Sequence, residues 1–302
     1  MTATAILLIL FSVFVHAGWN LVGKHAHPPA ALFLGSVAVA FLCKIPILIW
    51  AWRFYAGLPA EVWIAVVCTG ACQAIYFIGL AGAYRTGDLS VVYPLARSIA
   101  PMLVALASIP LGRTGQIGTG CMLGILLILS GGLLLPMKRL GELRPGNYLN
   151  ACCAFAFVAA LGTAGYSLLD DFALRAVREK ADFSIGVWEA VLLYVPVQSI
   201  STLLWMGSYV LLNPAERAEV PSVIRTRKKA MILTGIGYSV GYFPVLAALA
   251  YVSEVSYAIA FRQLSVPLGS LLGVVLLREP GFPAKFAGAG LMFAGGMMVA
   301  MG

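Results

Sequence analysis

His16-Ala-Gly-Trp-Asn-Leu-Val-Gly-Lys24 closes the first apolar stretch of the chain, and 147 residues later Thr163-Ala-Gly-Tyr-Ser-Leu-Leu-Asp-Asp171 occupies the same place in another. Small, aromatic and polar positions recur in the same order, the mark of an internal repeat. Further on, Asp88, Ser90, Pro101 and Arg113 align with Glu254, Ser256, Pro267 and Glu279 at an offset of 166. The growth of the offset falls in a longer seventh apolar stretch and in a basic loop, 213–229. The halves are then 1–147 and 148–302, within a single membrane domain spanning 1–302.

Composition says what the repeat is made of. Of 302 residues 61% are hydrophobic and 11% charged, with a mean hydropathy of +0.93. Soluble domains carry about a quarter charged residues. Charged and Gly/Pro-rich breaks divide the chain into ten apolar stretches, 4–23, 30–52, 62–84, 90–111, 117–137, 148–171, 183–212, 230–251, 256–277 and 282–301. Nearly all reach the ~20 residues that cross a ~30 Å hydrocarbon core. The first lacks a basic leader and a small-residue cleavage site, and reads as a span rather than a signal peptide. The expected fold is an all-α integral membrane protein of ten transmembrane helices. Five helices per half is an odd number, so the second half enters the membrane from the opposite side, giving two inverted five-helix repeats.

The net charge of +8 does not point to nucleic acid, because the basic residues fall in short loops rather than on one face. One set of loops holds twelve Lys and Arg, the other five. That bias puts the termini outside, but five of the twelve belong to loop 213–229, and without it the margin is seven to five. The six cysteines all lie in apolar stretches without C-x-x-C spacing and read as small core residues, and no metal site or cofactor motif is found.

Charged side chains within spans are costly and are candidate sites by default. They are Lys44, Arg97, Glu189 and Arg262, with Asp170 and Asp171 at the end of the sixth stretch. Arg97 in YPLARSIAP (93–101) and Arg262 in AIAFRQLSVP (258–267) each lie roughly 9 to 11 Å in from opposite faces, at a rise of ~1.5 Å per residue. Two guanidiniums approaching a midplane from either side suit one small anion, because arginine stays charged in apolar surroundings and forks onto carboxylate, phosphonate or sulfonate. The competing reading is a structural ion pair such as Arg262 with Glu189. Strict alignment pairs Arg97 with Gln263, so Arg262 is turned about 100° from equivalence and Gln263 joins the candidate anion site. Trp19 and Asn20, with their repeat partners Tyr166 and Ser167, and Tyr76, Tyr93, Tyr238, Tyr242 and Trp188 are candidate pocket walls. His16, Glu189 and Lys44 are candidates for coupling, with a proton as the coupling ion, although Lys44 is placed to snorkel. Pro94, Pro101, Pro244 and Pro267 are expected to interrupt their helices beside these sites, and Gly269-x-x-x-Gly273 and Gly288-x-Gly290 to serve close helix contact.

HAGWNLVGK (16–24), AYRTGDLSVVYPLARSIAP (83–101), RQLSVPLGSLLGVVLLREP (262–280) and the Gly-rich ends ILSGGLLL (128–135) and FAGGMMVA (293–300) resemble the ten-helix EamA-type members of the drug/metabolite transporter superfamily. The resemblance covers nearly the whole chain. It departs where family copies commonly end their fourth and ninth helices with an acid, here Arg113 in the first half and Glu279 in the second. It implies both termini in the cytoplasm, opposite to the loop count, and export of amino acids or related metabolites across the plasma membrane, a bacterial inner membrane.

The leading expectation is a secondary active transporter, an exporter, of a small organic anion or zwitterion, working by alternating access. The alternative is a proton-coupled exporter of cationic drugs; the small multidrug pumps that resemble this superfamily need an acid in helix 1, which has none here. A membrane enzyme or lipid scramblase is the third. An enzyme is not expected: H-E-x-x-H, G-x-S-x-G and P-loop patterns are missing, and only three histidines occur.

Overall fold

The computed structural model describes residues 1–25, 28–87, 89–108, 118–135, 137, 146, 148–180 and 185–301. Helices account for nearly all of them, and no strand occurs among the described residues. In chain order they are α1 (Ala3–His25), α2 (Ala30–Leu42), α3 (Ile45–Ala51), α4 (Ala60–Thr86), α5 (Leu89–Ser108), α6 (Thr119–Leu134), α7 (Ala151–Lys180), α8 (Val187–Leu212), α9 (Pro214–Thr226), α10 (Lys228–Ala248), α11 (Val255–Arg262), α12 (Ser265–Leu276) and α13 (Pro283–Met301).

The protein is a helical membrane protein. Among the described residues six helical segments are long and apolar enough to span a bilayer: α1, α4, α7, α8, α10 with the turn after it, and α11 with α12. The α2–α3 pair, bent by 50°, makes a seventh if counted as one. Leu7, Phe11 and Phe14 of α1, Ile64 and Val67 of α4, Leu204 of α8 and Val275 of α12 project outward, an apolar surface that a water-soluble monomer does not present.

Among the described residues the apolar stretches are largely helical, with these differences. The second stretch breaks at Cys43–Lys44, and α3 restarts with Pro46 in its first turn, where a missing N–H costs nothing. The ninth breaks at Gln263–Leu264, again just ahead of a proline, Pro267. Pro101 and Pro244, expected to interrupt, instead lie inside continuous helices, as does Pro196 of α8. The sixth stretch continues through its charges to Lys180, held by Arg175 on Asp171 one turn away at 2.9 and 3.0 Å. Residues 213–229, expected as a loop, contain α9, whose start is capped by Asn213 accepting from the N–H groups of Ala215 and Glu216. Buried Glu216 docks α9, accepting from the Ala31 N–H at the start of α2 and pairing with Arg85 at 3.0 Å.

Helix pairing is regular. α1 packs on α10 and α4 on α7; α2 packs on α10 and α8 on α4; α12 packs on α1 and α5 on α7; α6 packs on α13. The α6–α13 seam depends on glycines at two crossings seven residues apart. A Cβ at Gly124 would lie 2.6 Å from the Gly295 carbonyl oxygen, and one at Gly288 2.6 Å from that of Gly131. Gly290, expected to serve contact as well, meets only open space. Of the cysteines, Cys121 is buried as expected, whereas Cys43 and Cys68 are exposed on the outer surface.

Gly288→Val should therefore separate α6 from α13 and lower the thermal midpoint of the detergent-purified protein, at a cost of about 1–3 kcal/mol for overpacking. Gly290→Ala should leave it unchanged.

Candidate functional site

Both breaks leave a cation buried at the C-terminal end of a half-helix. Lys44 follows α2 and Arg262 ends α11, where carbonyls without intrahelical partners concentrate negative potential. Lys44 does not snorkel: its Nζ donates to Ser199 Oγ at 2.6 Å and lies 5.6 Å from the centre of the Tyr238 ring. Arg262 is 1% exposed, and its Nη2 donates to Tyr166 OH at 2.9 Å. Its Nε and Nη1 meet no hydrogen-bond acceptor among the described residues. Arg97, on α5, is buried to the same degree. The charges of Arg262 and Arg97 both act on His16, and α5 packs against α11 and α12, so the two arginines belong to one region.

Aromatic rings wall that region. Tyr238 stacks on Tyr242, Tyr242 meets Tyr166 edge-on, Tyr166 meets Tyr76, Tyr76 meets Phe77, and Phe77 returns to Tyr238, at centroid separations of 5.1 to 5.9 Å. This closed circuit takes side chains from α4, α7 and α10. Trp19 extends it from α1, 6.4 Å from Tyr238 and 5.8 Å from His16. The local sequence makes this possible: in Gly237-Tyr-Ser-Val-Gly-Tyr242 each tyrosine follows a glycine. The glycines admit α1, since a Cβ at Gly237 would lie 2.6 Å from Trp19 Cβ and one at Gly241 2.7 Å from His16 Nδ1.

At one edge lies a carboxylate that the sequence reading placed at a helix end. Asp170 is 0% exposed and accepts from Thr69 Oγ1 and Tyr194 OH, each at 2.6 Å, and from Tyr242 OH. Arg262 acts on it electrostatically. Gln73, next to it along the same face of α4, accepts from Tyr238 OH at 2.5 Å and from Thr202 Oγ1 at 3.1 Å. Neither Gln73 nor Thr69 drew notice in the sequence, although Thr69, Gln73 and Tyr76 share one helical face, as Tyr166 and Asp170 do.

The other candidates divide. Trp19, Tyr166 and Tyr242 are in the wall, and Trp19 Nε1 meets no acceptor among the described residues. Asn20 has a tying role, accepting from Tyr84 OH at 2.7 Å and donating to the His16 carbonyl at 2.7 Å. Gln263 is fully buried, but its Nε2 turns back onto its own helix at Ile259 O, 2.7 Å away. His16 is held through Nδ1 by Ser12, whose hydroxyl donates to Gly241 O at 2.8 Å. Ser167 bonds the carbonyl of Thr163 in its own helix. Glu189 is exposed in the first turn of α8, because that helix starts at Val187 rather than 183; it is not a buried partner for Arg262 or Lys44. Trp188 is exposed beside it, stacked on Phe243. The side chain of Tyr93 lies outside the described residues, as do those of Pro94 and His25, and Arg113.

The buried groups at this wall that meet no partner among the described residues, Trp19 Nε1, Gln73 Nε2 and the Nε and Nη1 of Arg262, are donors, while Asp170 at its edge is already bonded. An acceptor-rich, negatively charged ligand complements such a set.

No protein-family model matches the chain, and no curated protein matches it. Its fold is shared with a solved structure described only as "Crystal structure of protein", with a TM-score of 0.66, 16% identity, and coverage of 100% of this chain and 98% of that one. At that identity the likeness concerns the fold alone.

Tyr194→Phe should remove one of the three hydroxyls from Asp170 and lower stability by about 0.5–2 kcal/mol, the range for hydrogen bonds inside membrane proteins. The thermal midpoint in detergent reads the loss, and Tyr209→Phe, on the same helix, serves as the reference.

Proposed function

We propose that this protein is a secondary carrier for a small organic anion or zwitterion, an amino acid or a related metabolite, exported across the plasma membrane, a bacterial inner membrane, by alternating access. In this reading ten spans form two inverted five-helix halves: α1, α2–α3, α4, α5 and α6, then α7, α8, α10, α11–α12 and α13. The pairing of helices supports it. The first helix of each half packs on the third of the other, the second on the third, the first on the fourth, and the fifth on the fifth. A two-fold relation between halves requires that pattern, and α9 is the segment added to the second half. Both termini then lie on the same side.

The observation that carries the substrate class is Arg262, fully buried with two donor nitrogens facing no acceptor among the described residues. A charge in such a place costs several kcal/mol unless paired. A carboxylate, phosphonate or sulfonate arriving from water would supply the missing acceptor. Broken helices and half-helix ends beside a midplane site are the usual means by which carriers hold charged ligands.

A cation exporter is the second reading, favoured by the aromatic circuit and by Asp170, since tyrosine faces and a carboxylate attract organic cations. It is weighed down by the charge around the wall: Lys44, Arg97 and Arg262 are all buried, and Asp170 already accepts three hydrogen bonds.

A thermal-shift screen of the purified protein against carboxylates, sulfonates, phosphonates, amino acids and tetraphenylphosphonium separates the two. Anions or zwitterions should stabilise, by about 2.7 kcal/mol at a hundredfold excess over Kd. Arg262→Gln should abolish that shift and uptake into proteoliposomes while still eluting as a folded species; normal uptake by this variant, or stabilisation by the cation alone, sinks the anion reading.

A further inference from the structure

We infer that Asp170 is a proton-binding site that loads together with the anion, so that the carrier moves its substrate with a proton rather than against one. This rests on the carrier reading above and assigns its coupling ion and residue. With the proton gradient of a bacterial inner membrane directed inward, export alongside a proton is driven by the substrate's own outward gradient.

Two buried aspartates stand side by side on α7 and are held in opposite ways. Asp171 receives the Nε of Arg175 on both oxygens, at 2.9 and 3.0 Å. A guanidinium only donates, so this contact has no second arrangement in which the carboxyl gives up a proton to its partner. The hydrogen bonds to Asp170 come from three hydroxyls: Thr69 of α4, Tyr194 of α8 and Tyr242 of α10. A hydroxyl donates or accepts by rotating its O–H. The same cage therefore holds Asp170 ionised, accepting hydrogen bonds, or protonated, with one hydroxyl reversed to receive its proton.

A second observation is that a corner of like sequence closes without a carboxylate. Asp170 aligns with Gly23 at the offset of 147, and Thr69-Gly70 of α4 matches Thr234-Gly235 of α10 at an offset of 165. A Cβ at Gly23 would lie 3.8 Å from Thr234 Oγ1, the same neighbourhood that Asp170 and Thr69 share. The corner between α1 and α10 thus packs closely with no acid at all, and Thr234 Oγ1 is left without a hydrogen-bond partner among the described residues. The acid is present in one copy of a duplicated place.

The charges around Asp170 set the direction of coupling. Its own helix contributes Tyr166 and Asp171 with Arg175; α4 contributes Thr69 and Cys72, α8 Tyr194, α10 Tyr238 and Tyr242, and α11 Arg262, while Arg97 of α5 and Lys44, between α2 and α3, are further buried cations. With Asp170 ionised, part of the attraction of Arg262 is spent on it. Protonation removes that negative charge and leaves the full attraction to a ligand. By linkage the converse holds: an anion arriving at Arg262 draws a proton onto Asp170. In a transported cycle the proton comes from water on the loading side, sits on an Asp170 oxygen, and returns to water on the other side with the anion.

The test uses the full-length protein in detergent and the sulfonates of the panel, 2-aminoethanesulfonate and ethane-1,2-disulfonate, whose sulfonate charges do not change between about pH 5.5 and 8. Calorimetric titrations in buffers of different ionisation heat count protons. The wild type should take up close to one proton per anion at the high end of that range, with affinity there rising toward tenfold for each unit of falling pH. Asp170→Asn should bind at all pH values with the affinity the wild type reaches at low pH, without proton uptake; Asp170→Glu should restore uptake, and His16→Gln should retain it. Anion binding by the wild type without proton uptake, or a pH dependence that survives in Asp170→Asn, overturns the proton site and leaves the carrier reading intact. Failure of every anion in the panel to bind removes both.

Discussion

A charge withdrawn from water must recover its solvation from the protein, and the interior of this bundle is arranged around that requirement. Helices that satisfy all their own backbone groups have nothing to offer a cation. Two of them are interrupted, at Cys43–Lys44 and Gln263–Leu264, and a buried cation lies at each break. Proline in the first turn after the break makes the interruption inexpensive, because the first N–H groups of any helix have no intrahelical partner. Lys44 recovers its solvation from Ser199 and the face of Tyr238, and Arg262 in part from Tyr166.

Around them two stretches of similar sequence, 16–24 and 163–171, carry unlike chemistry. Trp19 and Tyr166 occupy equivalent places and both join the aromatic wall, one with its indole and the other through its hydroxyl on Arg262. One residue pair further, Asn20 ties α1 to Tyr84, whereas Ser167 merely bonds its own helix. At the end of the same motif Gly23 and Lys24 stand opposite Asp170 and Asp171. Lys24 closes the end of α4 by donating to the carbonyls of Tyr84 and Gly87, while Asp171 is neutralised by Arg175. The two stretches share their small and aromatic positions and differ in charge.

The helices were legible because length and apolarity decide them, and the two arginines because a guanidinium in an apolar run is conspicuous. What the sequence hid were features set by competition between neighbours. Asp170-Asp171, followed by Arg175 and Arg178, reads as a polar exit, yet no glycine or proline stops the helix there and the i, i+4 pair carries it on to Lys180. That error of boundary removed Asp170 from the interior and made Glu189, at the mirror error in α8, look buried. Loop 213–229 concealed α9 because Pro214 and Pro221 argue against a helix, although Asn213 before Pro214 is a good start signal. Gln73 and Thr69 are ordinary polar residues until α7, α8 and α10 are packed against them.

The glycine seam between α6 and α13 bears on how such a bundle can move. Its two contacts bring backbone against backbone at points seven residues apart, so sliding one helix along the other by a single residue would drive a side chain into a carbonyl. Rolling in place remains open; translation does not. α6 and α13 are then bound to each other as a fixed axle, and in the proposed carrier the alternation of access would be taken up by the helices around the arginines turning about it.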